Sequence, residues 1–130
     1  MRDYLYDGTF EGLLTCVYHH YYTDKAAGIY LREAYQPSMF NGFMEVETEQ
    51  DKAERVYRAI ESKISTYALR MVYRAYLSSI EGKENAILQY ILLGVENYPS
   101  SFFEHESVQV HIAGFFLFRT IHQEKQNLFY

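Results

Sequence analysis

Three consecutive amphipathic segments within residues 48–98 constrain the fold more than any other feature of the sequence. In each segment apolar residues recur at three- and four-residue steps, which places them on one face of a helix. The stripes are centred on Val56, Val72 and Ile91. Because an amphipathic helix is stable in water only when its apolar face is covered, we expect the three helices to pack against one another.

Local signals predict where these helices begin and end. Thr48 is predicted to be the N-cap of the first, since its hydroxyl can accept a hydrogen bond from an early amide. Ser65 or Thr66 is predicted to start the second, and Gly82 to end it, because glycine adopts the left-handed conformation without a side-chain clash. Pro99 prevents extension of the third.

The remaining segments predict one more helix and several strands. Residues 4–6 are a strand candidate, and Asp7-Gly8-Thr9 is a turn in which Asp7 or Thr9 can cap a helical stripe over residues 10–21. Residues 28–31 could be a strand, residues 42–47 alternate as a strand does, and residues 115–121 and 128–130 are typical of a hairpin. We therefore predict a mainly helical α+β fold, with a small sheet packed against a bundle of four or five helices. The sheet would contain the N-terminal strand, the strand near residues 43–47 and the C-terminal hairpin.

Length and composition exclude several classes of protein. A chain of 130 residues fits a single domain, residues 1–130. The formal charge of −5 argues against a protein whose whole surface binds nucleic acid, although a local basic strip stays open. No apolar run approaches the roughly 20 residues of a membrane span, and the N-terminus has no hydrophobic signal region. The single Cys16 lies in an apolar stretch, so we expect a cytoplasmic protein with a buried thiol.

Aromatic content is unusual, with 14 Tyr, 9 Phe and no Trp. Tyrosine suits cores and wet interfaces, and it also stacks on nucleic-acid bases. A core role and a subunit interface are favoured, so a homodimer is one expectation.

Basic residues on the helical block form two local patches, Arg55 with Arg58 and Arg70 with Arg74. Each patch could contact phosphate groups. Each could equally form helical ion pairs with neighbouring glutamates, which contribute only a few tenths of a kcal/mol.

Metal-binding and catalytic patterns are weak. His19 and His20 are adjacent, so their side chains point about 100° apart on a helix and cannot readily share one ion. Glu45 and Glu47 would share one face of a strand, where they could hold a hard cation or be solvated. No nucleophile has an identifiable base beside it. We predict no catalytic residue, metal site or cofactor.

The opening of the chain resembles a known family. Residues 4–14, Tyr-Leu-Tyr-Asp-Gly-Thr-Phe-Glu-Gly-Leu-Leu, are similar to the start of a bacterial family of DNA-metabolism or DNA-repair proteins of unassigned activity. The likeness continues through residues 46–48 and 53–56 and returns at residues 114–119. There, members show a glycine, a phenylalanine and a strand with a basic residue between aromatic residues, whereas Arg119 follows the aromatic residues in this chain.

The resemblance carries expectations about function and length. Members of that family are encoded beside a radical-SAM DNA-repair protein, and some are fused to a uracil-DNA-glycosylase-like domain. The chain is similar to about the front half of a full-length member. The resemblance therefore implies an accessory domain that binds nucleic acid or a repair enzyme. The candidate nucleic-acid contacts come from the positions of the basic residues in this chain, and they are Arg55, Arg58, Arg70, Arg74 and Arg119.

Two other functions stay open. The excess of tyrosine and the apolar C-terminus are also typical of a protein-interaction or dimerisation module unrelated to DNA. An enzyme of uncertain class would need a pocket with clustered ionisable groups.

Overall fold

The computed structural model describes residues 1–37 and 41–96. The chain divides into two compact units, of which the first is Met1–Arg58 and the second begins at Ala59. The expectation of one domain over residues 1–130 stays a prediction.

The first unit is built around a small parallel sheet. Its elements in chain order are β1 (Arg2–Tyr6), α1 (Phe10–Tyr22), β2 (Ala26–Leu31), a short 3₁₀ helix (Arg32–Ala34), β3 (Gly42–Glu45) and α2 (Gln50–Ala59). The strand order is β2-β1-β3, and both neighbours run parallel to the central β1. Parallel neighbours need crossover connections, and α1 provides the first of them.

Alternation along β1 gives the sheet two different faces. Tyr4 points to the face covered by α1, where its hydroxyl donates a hydrogen bond to the Asp24 carbonyl oxygen. Burial is the main cause that raises the pKa of Tyr4, and the Asp24 carboxylate adds to it. Asp3 and Leu5 belong to the opposite face. The side chains of α1 that complete this small core, including Leu13 and Cys16, are fully buried.

The second unit is helical in its described part. A π-helical segment, Ile60–Ile64, follows α2 directly and ends where the Ser65 amide donates to the Ile60 carbonyl. Ser65 then caps α3 (Thr66–Leu77), because its hydroxyl accepts a hydrogen bond from the Ala68 amide at 2.9 Å. The last helix is α4 (Lys83–Glu96).

The predicted fold class is confirmed: four α-helices and a three-stranded sheet occur within residues 1–37 and 41–96. Val56, Val72 and Ile91, which centre the three stripes, are all buried. The strands predicted near the N-terminus and at residues 42–47 lie side by side, and the strand candidate at residues 28–31 joins them as β2. The C-terminal hairpin lies outside the described residues.

Two predicted helix boundaries are wrong. Thr48 is not a cap, since α2 begins at Gln50 and the Ala53 amide donates to the Glu49 carbonyl. Gly82 does not end α3, which stops at Leu77; it comes directly before α4 with φ of +85°. Its carbonyl accepts the first hydrogen bond of α4, so glycine here serves a turn that opens a helix.

Across the two described ranges, every helix is too short or too polar to cross a membrane.

Candidate nucleic-acid interface

Residues that follow β1 and β3 form a hydrogen-bonded network at the carboxyl edge of the sheet. Asp7 follows β1 and Thr48 follows β3, and neighbouring parallel strands end at the same edge. The Thr48 hydroxyl donates to Asp7 Oδ2 at 2.8 Å. The hydroxyl and amide of Thr9 donate to Asp7 Oδ1 at 2.6 and 3.0 Å. These hydrogen bonds favour the ionised carboxylate and therefore lower the pKa of Asp7. The bond from the Thr9 hydroxyl is the largest cause.

The same network fixes the start of α1. Of the two caps that the sequence left open, Asp7 and Thr9, the N-cap is Thr9, whose hydroxyl accepts a hydrogen bond from the Gly12 amide at 3.0 Å. A side chain at Gly12 would overlap Asp7 Oδ1, so glycine lets the helix approach the carboxylate closely. Open α/β sheets commonly bind ligands at this edge. Here both carboxylate oxygens of Asp7 bond within the chain, and a negative charge at the start of α1 disfavours a phosphate.

A second contact places α2 against α1. The Thr15 hydroxyl of α1 donates to the Glu11 carbonyl at 2.7 Å and accepts from the Glu49 amide at 3.2 Å. Thr15 is fully buried, so this bond satisfies an amide at the start of α2 in a dry environment. As a result, side chains on the first turns of α2 lie beside the last turns of α1.

Two cations of α2 lie over two tyrosines of α1. The rings of Tyr18 and Tyr22 are 4.6 Å apart between centroids and inclined by 36°. The Arg55 guanidinium carbon is 5.2 Å from the Tyr22 centroid, and Lys52 Nζ is 5.4 Å from the Tyr18 centroid. Both are within the range of cation–π attraction. We call these four residues the tyrosine–cation surface.

Lys52 is already engaged with a carboxylate. Its ammonium lies 2.7 Å from Glu49 Oε2, and His19 Nε2 lies 3.5 Å from the same oxygen. The hydrogen bond from Lys52 is the main cause that lowers the pKa of Glu49, and the same bond raises the pKa of Lys52. Lys52 therefore brings little unopposed positive charge to the surface.

Arg55 and Arg58 differ in their partners, although both are exposed. Arg58 donates to Glu54 Oε1 at 2.5 Å, one helical turn away. In the described part of the chain no carboxylate lies within ion-pair distance of Arg55. Arg55 therefore presents, over the Tyr22 ring, an exposed guanidinium that can donate to an external acceptor.

The other predicted contacts belong to other parts of the chain. Arg70 and Arg74 are exposed residues of α3 in the second unit, so the structure brings only Arg55 and Arg58 together in the first. Arg119 lies outside the described residues.

The two adjacent histidines considered for metal binding have other partners. His19 Nδ1 lies 2.9 Å from the Thr23 hydroxyl, whereas His20 Nδ1 accepts a hydrogen bond from the Ala26 amide at 2.9 Å. The adjacent histidines thus point to different partners. No group of three or more His, Cys, Asp or Glu within residues 1–37 and 41–96 could hold a metal ion.

Sequence reasoning missed Tyr18, Tyr22 and Lys52 as neighbours of Arg55. The spacing of the tyrosines, four residues apart on α1, and of the cations, three apart on α2, does indicate one face on each helix. It does not indicate that these two faces meet, because that depends on the bond between Thr15 and Glu49.

No protein-family model matches the chain, and neither the curated proteins nor the solved structures yielded a significant match.

Proposed function

We propose that this is a cytoplasmic accessory protein of bacterial DNA repair or DNA metabolism that contacts the nucleic-acid backbone through Arg55. The repair context rests on the resemblance of residues 4–14 to the family described above. The observation that supports the contact itself is the exposed Arg55 guanidinium over the Tyr22 ring, with no described carboxylate within ion-pair distance of it.

The contact with Tyr22 supports phosphate binding because it reduces the conformational entropy that the Arg55 side chain loses when it binds. An unrestrained arginine has several rotatable bonds, and fixing them costs up to about 2 kcal/mol. The Tyr22 ring lies 5.2 Å from the Arg55 guanidinium carbon, and this attraction favours one arrangement of the side chain before any ligand binds. A guanidinium can donate to two phosphate oxygens at once. Arg58 can join this contact by leaving Glu54, since an exposed pair one helical turn apart is worth only about 0.3–0.5 kcal/mol.

The net charge limits the size of this interface. With a formal charge of −5, the protein cannot attract DNA over its whole surface. Two or three phosphate contacts would give a slope of log affinity against log salt of about −2 to −3. Binding is thus expected to be weak and independent of base sequence.

The test is fluorescence anisotropy of labelled single-stranded and duplex oligonucleotides, with the whole chain, at about 50 and 200 mM salt. Arg55→Gln should weaken binding several-fold and reduce the salt slope by about one unit. Tyr22→Leu should weaken it less, because the charge remains. Arg32→Gln, at an exposed arginine of the 3₁₀ helix, is the matched control and should leave affinity unchanged.

Two results would contradict the proposal. One is the absence of binding at low salt. The other is an Arg55→Gln variant that binds like the wild type while Arg70→Gln or Arg74→Gln does not, which would assign the contact to α3.

A protein-interaction or dimerisation module is the second candidate function, supported by a different surface. Tyr73 and Leu77 lie four residues apart on α3 and are 47% and 60% exposed. Such a pair forms a small apolar patch of the kind that helices bury at interfaces. Light scattering should then show a dimer that Leu77→Gln disrupts; a monomer at high protein concentration would exclude self-association.

A further inference from the structure

The sheet face opposite α1 carries an unusual set of side chains. Asp3 in the central strand lies between Gly28 of β2 and Phe43 of β3 in the strand register. Residues paired in this way point to the same face of a sheet. The next row towards the carboxyl edge on that face is Tyr30, Leu5 and Glu45.

Three aromatic rings lie across the strands at the level of Asp3. The Tyr35 ring is 5.6 Å from Tyr30 and 5.8 Å from Phe43 between centroids. The Tyr30 ring folds back over Gly28, where an added Cβ would be only 2.7 Å from its Cε2. We call Tyr30, Tyr35 and Phe43 the aromatic belt.

The aromatic belt remains accessible to solvent. Phe43 is 48% exposed and Tyr30 is 39% exposed. On this face the central strand is itself buried, since Leu5 is 3% exposed, and the two exposed rings belong to the outer strands β2 and β3. Exposed contiguous rings on a parallel sheet are therefore typical of a surface that a partner covers.

Negative charge accompanies the rings. The Tyr35 hydroxyl donates to Asp3 Oδ2 at 2.7 Å, and Asp3 is 5% exposed. A phenol that donates to a carboxylate gains electron density in its ring, which strengthens attraction for a cation at the ring face. Glu45 is two residues after Phe43, on the same face and exposed. Two carboxylates beside exposed rings disfavour the binding of a phosphate and favour the binding of a positively charged group.

We propose that the aromatic belt binds an arginine-bearing segment of a partner protein, with a guanidinium stacked on the rings and Glu45 beside it. Arginine fits better than lysine because a planar guanidinium stacks on aromatic faces while its edge bonds a carboxylate. This site lies apart from Arg55 and does not depend on nucleic-acid binding.

The test measures binding of a labelled synthetic peptide of alternating Arg and Gly to the whole chain, by fluorescence anisotropy at low salt. A peptide with Gln in place of Arg is the ligand control, and one with Lys should bind more weakly. Phe43→Ser and Tyr30→Ser should each weaken binding by about tenfold. Tyr57→Ser, at a 43% exposed tyrosine of α2, should have no effect.

Two milder variants separate binding from folding. Tyr35→Phe keeps the ring and removes only the hydroxyl that bonds Asp3, and Glu45→Gln removes one exposed charge. Each should weaken Arg-peptide binding by about three- to fivefold without changing the circular dichroism spectrum. Arg55→Gln should leave peptide binding intact, so failure here and failure of the nucleic-acid proposal are distinguishable.

Several results would overturn the inference: no binding of the Arg peptide to the wild type, equal binding of the Gln peptide, or equal binding by Phe43→Ser. A dimer that Phe43→Ser dissociates, in a protein that ignores the peptide, would assign the belt to a second copy of the chain. If an oligonucleotide displaces the Arg peptide and its own binding is lost in Phe43→Ser, the aromatic belt would be assigned to nucleic acid.

Discussion

Replacing Gly12 by alanine sets two physical effects against each other. Gly12 lies in the first turn of α1, where alanine is preferred over glycine by up to about 1 kcal/mol. Yet a Cβ at this position would overlap Asp7 Oδ1 and would lie 2.9 Å from the Thr48 hydroxyl and 3.0 Å from the Thr9 hydroxyl. Helix propensity therefore predicts a more stable protein, whereas the carboxyl-edge network predicts a less stable one.

The magnitudes favour destabilisation. Overpacking of a tight site costs about 1–3 kcal/mol. Displacing the Asp7 carboxylate also weakens its hydrogen bonds with Thr9 and Thr48, each worth about 0.5–1.5 kcal/mol. After subtracting the gain in propensity, we expect the free energy of unfolding to fall by about 2 kcal/mol. At about 4 °C per kcal/mol for a chain of 130 residues, the melting temperature should fall by about 8 °C.

The assay is urea denaturation followed by circular dichroism. Gly42→Ala is the matched control, since its Cβ would make only ordinary contacts with Arg2, at 3.5 Å from Cγ and 3.8 Å from Cδ. This change should alter the free energy of unfolding by less than about 0.5 kcal/mol. Asp7→Ala removes the overlapping oxygen, so the double variant with Gly12→Ala should lose at least about 1 kcal/mol less than the sum of the single changes. A Gly12→Ala protein as stable as the wild type, or more so, would refute the packing argument.

Four more outcomes are expected. Because hydrogen bonding lowers the pKa of Asp7 from its ordinary 3.8, its stabilisation is full above that pH and is lost as pH falls towards the folded-state pKa; acid titration of Asp7→Asn should lack this loss. Ser65→Ala should destabilise α3 by about 1 kcal/mol and Ser65→Gly by only a few tenths, and similar losses in urea titrations would contradict the cap. Gly94→Ala should destabilise by about 1–3 kcal/mol despite better propensity, because its Cβ would lie 2.5 Å from Ile64 Cδ1; Ile64→Val should relieve part of this cost, and additive losses would exclude the contact. Burial raises the pKa of Cys16 to about 12, so a thiol reagent at pH 8 should modify it only in urea, and rapid labelling of the native protein would contradict its burial.

Periodicity predicted the helices well, because a 3.6-residue repeat is a local property of the chain. The stripes centred on Val56, Val72 and Ile91 are buried, and Thr9 caps α1. Boundaries were predicted less well. A threonine before a helix and a glycine after one are common signals, yet Thr48 bonds Asp7 and Gly82 precedes α4, since tertiary neighbours set which backbone groups need a partner.

The candidate sites were harder to predict. Spacing alone identified Arg55 and Arg58 as neighbours. It did not indicate that Tyr22 lies beneath Arg55 or that Arg58 forms an ion pair with Glu54. The aromatic belt escaped prediction altogether, because its rings come from β2, β3 and the segment after the 3₁₀ helix. Only the register of parallel strands brings them together.

By itself, the sequence determined which segments are helices or strands and which of their faces are apolar, since both follow from repeats within a few residues. Tertiary structure decided which polar residues meet: Asp7 with Thr48 across 41 positions, and Thr15 with Glu49 across 34. It also decided which face of the sheet α1 covers. Such contacts depend on how elements distant in sequence pack, and no local pattern records that.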